Sequence, residues 1–301
     1  MSNTRSAANT RSMKNTRFTV NTHSEIFADL HTHSSCSDGL FEPEEMVEQA
    51  AKMQLGALAI SDHDNFEGAK RLLQAAKDIN LIAIPAVELS TQYDDRQVHM
   101  LGYFCDFDNK DLQQLFEESN SARKKRTLQM AANLEKDGYP VHPDELQESG
   151  EILNSTLIAR RLVSAGLYPN VDDVIEKLIG FDCPYYVKRN NINSIEAIKL
   201  IEQAGGSSFI AHPAAYEVTD LIPVFAKNGL TGLEAYYPLH SASEQKDLLA
   251  LAKELNIGVS GGSDWHGDNV HHSSLAQSGL EKGDFIAFLD TCKQDIDSFF
   301  V

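Results

Sequence analysis

From Ile26 onward the chain alternates short apolar runs with longer amphipathic stretches. Ile26-Phe27-Ala28, Ala57-Leu58-Ala59-Ile60, Leu81-Ile82-Ala83-Ile84, Ser208-Phe209-Ile210-Ala211 and Ile257-Gly258-Val259-Ser260 have strand length and read as buried strands. Helical patterns lie between them. Glu42-Pro43-Glu44-Glu45 opens one helix, with proline at an early position and acids at the positive end of the dipole, and Phe66–Ile79 gives a second. This alternation predicts βα units around a parallel sheet. It breaks after Asp108. Residues 110–193 read as helical, with stretches Leu112–Lys136, Ser155–Ala165 and Val171–Leu178 broken at Gly138-Tyr139-Pro140 and Gly166-Leu167-Tyr168-Pro169. Alternation resumes at Ser194. The expected fold is an α/β barrel built from residues 25–109 and 194–301, with residues 110–193 as a helical insertion covering the carboxyl ends of the strands.

Composition narrows the class. A chain of 301 residues with 42% hydrophobic and 23% charged residues can bury a sizeable core. A formal charge of −18 argues against a general nucleic-acid coat or an anionic-membrane binder. It leaves a phosphate substrate open, because bound divalent ions reverse the local field. Residues 1–24 repeat Asn-Thr-Arg at 3–5, 9–11 and 15–17 with almost no apolar side chains, and read as a disordered tail without a signal-peptide core. No run is long enough to span a bilayer. Cys36, Cys105, Cys183 and Cys292 are scattered rather than paired in spacing, so a reducing, cytoplasmic location is expected. Neither Gly-x-Gly-x-x-Gly nor a Walker loop appears, which removes the usual nucleotide-cofactor explanation of a parallel sheet.

The chemistry lies where the apolar runs end. They lead to Asp29-Leu30-His31-Thr32-His33 and Asp38, to Asp62-His63-Asp64, to Glu88, to His212, and to Asp264-Trp265-His266; His99 adds a further imidazole. Residues two apart on a strand share a face, so His31 and His33 aim two imidazoles at one point, and Asp264 and His266 repeat that geometry. A lone histidine near a strand end is ordinarily structural. Recurrence at strand after strand argues for one shared centre. Imidazole with carboxylate suits zinc, iron or manganese, carboxylates can bridge two ions, and the donors outnumber what one ion needs, so the expected centre is multinuclear. Glu234, at another strand end, reads as structural, and His271 and His272 as exposed.

The helical stretch carries the basic clusters Arg123-Lys124-Lys125-Arg126, Arg160-Arg161 and Lys188-Arg189. A helix cannot aim four successive charges one way. Arg126, Arg160 and Lys188 are the candidates for substrate phosphate, since arginine forks match its oxygens. His240 is a further candidate, as a phosphate contact or an acid.

With Asp29-Leu30-His31-Thr32-His33, Ile60-Ser61-Asp62-His63-Asp64, Ala211-His212-Pro213 and Gly262-Ser263-Asp264-Trp265-His266 laid out, the chain resembles the PHP (polymerase and histidinol phosphatase) family. Ile84-Pro85-Ala86-Val87-Glu88 and Val98-His99-Met100-Leu101-Gly102-Tyr103 resemble the intermediate motifs of its bacterial branch of nucleotide phosphatases and 5′–3′ exoribonucleases, and the match runs from Phe27 to Gly267. The resemblance implies a distorted seven-stranded β/α barrel and two to three divalent ions of manganese, iron or zinc. By position, His31, His33, Glu88 and Asp264 resemble the ligands of a first ion; Glu88 bridges to a second with His99 and His212; Asp38, His63 and His266 resemble those of a third. The implied activity is hydrolysis of phosphomonoesters by a metal-activated water, with Glu88, Asp264 and His212 as the catalytic groups. The implied substrate is a phosphorylated small molecule or nucleotide, extending to a short 5′-phosphorylated oligonucleotide. A small-metabolite phosphatase of the histidinol-phosphate type is the alternative; a decayed, non-catalytic module is disfavoured by the complete ligand set. Two departures stand out. The branch usually reads Gly-Arg-Pro-His-Ile-Ala-Arg in its insertion, where this chain has Asn154-Ser155-Thr156-Leu157-Ile158-Ala159-Arg160, so Ser155 and Leu157 replace an arginine and a histidine that would approach phosphate. Ala86 replaces the usual glycine before Glu88.

Overall fold

The computed structural model describes residues 26–267 and 273–295. The tail of residues 1–24 and the pair His271 and His272 lie outside the described residues. The strands are β1 (Ala28–Asp29), β2 (Ala57–Ile60), β3 (Ile82–Tyr93), β4 (Arg96–Tyr103), β5 (Ile192–Asn193), β6 (Ser207–Ile210), β7 (Gly232–Tyr236) and β8 (Gly258–Gly261). They run in the order β1-β2-β3-β4-β6-β7-β8, with β5 paired to β3 off this path. The two ends of the path meet. Leu30 N donates to Gly261 O at 3.1 Å, Asp264 N to His31 O at 2.7 Å, and Thr32 bridges Trp265 in parallel. The result is a nearly closed seven-stranded barrel surrounded by helices, as expected.

Its distortion has a local cause. β4 runs antiparallel to both β3 and β6, while the remaining neighbours on the path are parallel. Only Asp94 and Asp95 separate β3 from β4, with Asp94 in left-handed backbone at φ 52°. A two-residue link makes a hairpin and leaves no room for the crossover that a parallel neighbour needs. Glu88 consequently stands inside a twelve-residue strand rather than at the end of a short one.

The helices are α1 (Pro43–Lys52), α2 (Glu67–Ala75), α3 (Lys110–Lys136), α4 (Pro143–Glu148), α5 (Ser155–Ser164), α6 (Val171–Val174), α7 (Ser194–Gln203), α8 (Ile222–Ala226), α9 (Ala242–Leu255) and α10 (Lys282–Thr291). α1 and α2 bury Met46, Val47, Ala50 and Leu72 with Leu58 and Ile60 of β2. α7 buries Ala197, Ile198 and Ile201 with Val87, Leu89 and Met100, and α10 brings Phe285, Phe288 and Leu289 to Ala28, Ala57 and Phe209. Each such large side chain contributes about 1.5–3 kcal/mol by leaving water. α3 to α6 lie between β4 and β5 in sequence and share a separate apolar cluster that includes Met130, Leu134, Ile158, Leu162 and Val174. Asn109, Asn154 and Asn170 cap α3, α5 and α6, each accepting a backbone N–H three residues on. No helix among the described residues is long and apolar enough to cross a membrane.

Candidate metal centre

Three stretches of left-handed backbone turn side chains toward the carboxyl ends of the strands. Asp64 (φ 51°), His212 (φ 31°) and Asp264 (φ 53°) follow β2, β6 and β8 within a few residues. Such backbone costs roughly 1–3 kcal/mol per residue and clusters at functional sites. Gly262 lets the seam close: a Cβ there would meet the His31 backbone N and Cβ at 2.4 Å.

Buried acids that are not free to act as ligands fix the loops. Asp29 accepts from Ser263 Oγ at 2.6 Å, Ser263 N at 2.9 Å and Ala276 N at 2.9 Å. Burial raises its pKa to about 6 despite those bonds. Asp62 accepts from Ser34 N and Oγ and from Ser37 Oγ. Both acids brace the histidine-bearing loops.

The donors gather in three groups: His31, His33, Glu88 and Asp264; Glu88, His99 and His212; and His33, Asp38, His63 and His266, each with its donor atoms within 4.8 Å of one another. Glu88 belongs to two groups, and so does His33, which the ligand sets implied by resemblance assigned to one ion only. Glu88 Oε1 lies 3.0 Å from His99 Nδ1 and 3.2 Å from His212 Nε2; its Oε2 lies 3.1 Å from His63 Nδ1, 3.2 Å from His33 Nε2 and 3.5 Å from His31 Nε2. One carboxylate thus faces five imidazoles.

This donor set fits divalent transition ions. His31 Nε2, both ring nitrogens of His33 and His63 Nδ1 are buried without a hydrogen-bond partner, although carboxylate oxygens stand 3.1–3.8 Å away. Lone pairs that converge on a point without bonding one another are what a cation requires. The local field agrees. Burial disfavours charge on His31 and His33, yet Glu234, Asp264 and Glu88 hold His31 well above the usual histidine range, and Asp264 and Glu88 hold His33 up to about 10. Burial drives His63 down to about 3, leaving it as a neutral imidazole. Glu88 stays well below the carboxylate range because His63, His99 and His31 outweigh the burial that would raise it.

Glu234 supports the centre from behind. It accepts His31 Nδ1–H at 3.0 Å and the His212 backbone N–H at 2.8 Å, which turns His31 Nε2 inward. Glu234→Ala should therefore lower metal affinity and turnover by about 10- to 100-fold. Metal titration of the purified variant checks this, and wild-type affinity would refute the orienting role.

A cavity of about 1010 Å³ opens over the donors. Arg126 and Lys188, two of the candidate phosphate-binding cations, line it. Arg126 donates to Val187 O at 2.6 Å and Ser155 Oγ at 3.1 Å, with its guanidinium over the Tyr186 ring. Lys188 is exposed and reaches Asp95 at 2.9 Å. The two other candidates do not line the cavity. Asn154, Ser155 and Thr156 at the start of α5 do, but Arg160 follows Ser155 by five residues, a rotation of roughly 140° about the helix axis that carries it off that face. His240 is folded back beneath Tyr237 by a turn, with its Nδ1 donating to Ala235 O at 2.9 Å. Leu157 also misses the cavity and packs in the core of the α3–α6 segment.

Sequence reasoning missed Arg123, Arg189, Tyr216 and Tyr237, all of which line the cavity. Arg123 pairs with Asp64 and donates to Ser90 Oγ at 3.1 Å. The Tyr237 hydroxyl donates to Asp264 Oδ2 at 3.1 Å, and the Tyr216 ring stacks on His212 at 4.5 Å.

Known proteins resemble this chain in sequence and fold. A model of the PHP domain matches residues 29–177. A 5′-3′ exoribonuclease of Haemophilus influenzae is 32% identical over 245 residues, spanning 79% of this chain and 89% of that protein. A 3′,5′-nucleoside bisphosphate phosphatase of Chromobacterium violaceum is 30% identical, with 79% and 86% covered. The crystal structure of a protein from Bifidobacterium adolescentis, assigned as a metal-dependent phosphoesterase, superposes with a TM-score of 0.81 at 28% identity, covering 90% of this chain and 98% of that one.

Proposed function

Because the chain belongs to the PHP family of metal-dependent phosphoesterases, we propose that it hydrolyses phosphomonoesters of nucleotides or of short 5′-phosphorylated oligonucleotides, with water as the nucleophile. One observation carries this reading: seven of the nine donor side chains line the floor of a cavity, with His31 and His33 buried behind them, and its wall holds Arg123, Arg126, Lys188 and Arg189. A strongly acidic chain that concentrates guanidinium groups above carboxylates and imidazoles fits an anionic ester presented to bound cations.

His31, His33, Glu88 and Asp264 would hold one ion, Glu88, His99 and His212 a second, and Asp38, His63 and His266, with His33 beside them, a third. Two to three ions of manganese, iron or zinc suit these donors. When bound, they supply the charge that lowers the pKa of a water toward neutrality and answers charge growing on the phosphoryl oxygens. Glu88 holds the first two groups in register, Tyr237 fixes the Asp264 carboxylate, and His212 stands at Glu88 Oε1. Arg123 and Arg126 orient the phosphate from the wall. All four cysteines are free thiols, which suits the cytoplasm.

A small-metabolite phosphatase is the second reading, favoured by Ser155, which faces the cavity where the family resemblance implies an arginine. A panel of phosphate esters with added manganese separates the two. We expect 5′-nucleotides and 5′-phosphorylated oligonucleotides to lead it. Arg126→Ala should raise the KM for them about tenfold, in line with the ~1.5–3 kcal/mol of a hydrogen bond to a charged group, and raise that for p-nitrophenyl phosphate less. A non-nucleotide ester turned over ten times more efficiently than any nucleotide would overturn the first reading.

A further inference from the structure

Phe181 is the most exposed large apolar side chain among the described residues, at 68% of its surface, and it lines the cavity. An exposed ring on a loose loop would mean little. This one is held on both sides. A π-helical turn, Ile175–Ile179, leads into it, and Gly180 N donates back to Ile175 O at 2.7 Å. A Cβ at Gly180 would sit 2.4 Å from that oxygen, so the approach requires glycine. After Phe181 the chain takes left-handed backbone at Asp182 (φ 61°), and Cys183 N returns to Gly180 O at 3.1 Å. Leu178 and Ile179 are buried in the core of the α3–α6 segment and anchor the turn. Single-turn π segments and left-handed residues together are a costly way to leave a phenyl ring in water.

The surroundings say what would cover it. The ring meets Tyr186 edge-on at 5.4 Å, and Arg126 lies over the far ring at 5.4 Å. Arg189, also in the cavity wall, donates to Asn191 Oδ1, and burial lowers its pKa to about 9, helped by repulsion from Arg123 and Arg126. Neither Arg126 nor Arg189 has an ion-paired carboxylate among the described residues, and the nearby Asp173 is matched by Lys177 at 2.9 Å. Flat rings interleaved with under-compensated guanidinium groups suit a strand of bases and phosphates better than an apolar peptide. The cavity, at about 1010 Å³, reaches the upper end of the roughly 300–1,000 Å³ that holds a single drug-sized ligand.

Resting on the nucleotide reading above, we infer that Phe181 is a specificity-determining stacking platform for the base of the nucleotide on the 3′ side of the one at the metal floor. The preferred substrate is then a single-stranded oligonucleotide with a 5′-phosphate, rather than a mononucleotide.

The test compares kcat/KM for 5′-phosphorylated triadenylate with that for adenosine 5′-monophosphate in the manganese-loaded full chain, with products followed by chromatography. F181A should reduce the trinucleotide-over-mononucleotide ratio roughly tenfold, in line with the ~1–3 kcal/mol of a base–aromatic stack. F181W should restore most of the ratio and F181L should not, since leucine keeps apolar surface but offers no π face. Equal ratios in wild type and F181A, or full rescue by leucine, would overturn the platform while leaving nucleotide hydrolysis standing. Wild-type protein inert on both nucleotides would instead defeat the reading on which the inference rests, and the inference with it.

Discussion

Glu88→Gln should lower ester hydrolysis on the order of a thousandfold and strip bound metal from the protein, the largest loss expected from any single substitution here. The carboxylate faces five imidazole nitrogens at 3.0–3.5 Å, two through Oε1 and three through Oε2. Glutamine keeps the shape but removes the charge and turns an N–H donor toward nitrogens that should be offering lone pairs. A thousandfold corresponds to about 4 kcal/mol of transition-state stabilisation. Losing the charge also weakens two donor groups at once, whereas a change at His99 weakens one. Metal analysis and steady-state kinetics on the same preparation provide the check. Near-normal turnover with full metal content would mean that Glu88 does not bridge.

Dialysis against a strong chelator should take activity to background, and manganese should restore it. The metal-free centre is a set of buried carboxylates whose charge is answered by protons: burial opposes charge on His33, but Asp264 and Glu88 carry its pKa up to about 10. Cations must displace those protons, so manganese should be needed at higher concentration at pH 6 than at pH 8. Melting curves should climb with added manganese, by ~2.7 kcal/mol of stability once the ion stands at a hundred times its Kd. Full activity in chelated protein, with metal analysis reading zero, would remove the basis for a metal-dependent reaction.

The barrel and the donor gathering were legible because both depend on short-range rules. Buried strands are short and apolar, and residues that terminate them share one end of the sheet. The hairpin of β3 and β4 escaped notice because its signal is only two aspartates, Asp94 and Asp95, in an otherwise continuous polar and apolar mixture. Phase was the harder problem on the wall. Arg126 faces the cavity and so does Arg123, three residues earlier on the same face of α3, a spacing that could have revealed the pair. Arg160 was read as a phosphate contact because its charge was visible and the direction of α5 was not. The sequence leaves His240 open between a phosphate contact, an acid and a loop histidine, because no local pattern shows the turn that folds it under Tyr237. Glu234, read as structural, braces His31 and His212, an orienting task that no local pattern announces.

The seam at which the barrel closes joins segments made at opposite ends of synthesis. Asp29 holds Ser263 across 234 residues, and His31 O accepts the backbone N–H of Asp264. A chain emerging from the ribosome therefore carries six of its nine donors in its first third, with no ordered centre to place them in, until the last strand arrives. The α3–α6 segment, whose core draws on neighbours in sequence, can form early. High contact order confines the slow step to the seam. An ion bound there would tie the first strand to the last, so metal supplied during translation, and not only during catalysis, should raise the share of the protein that reaches its finished form.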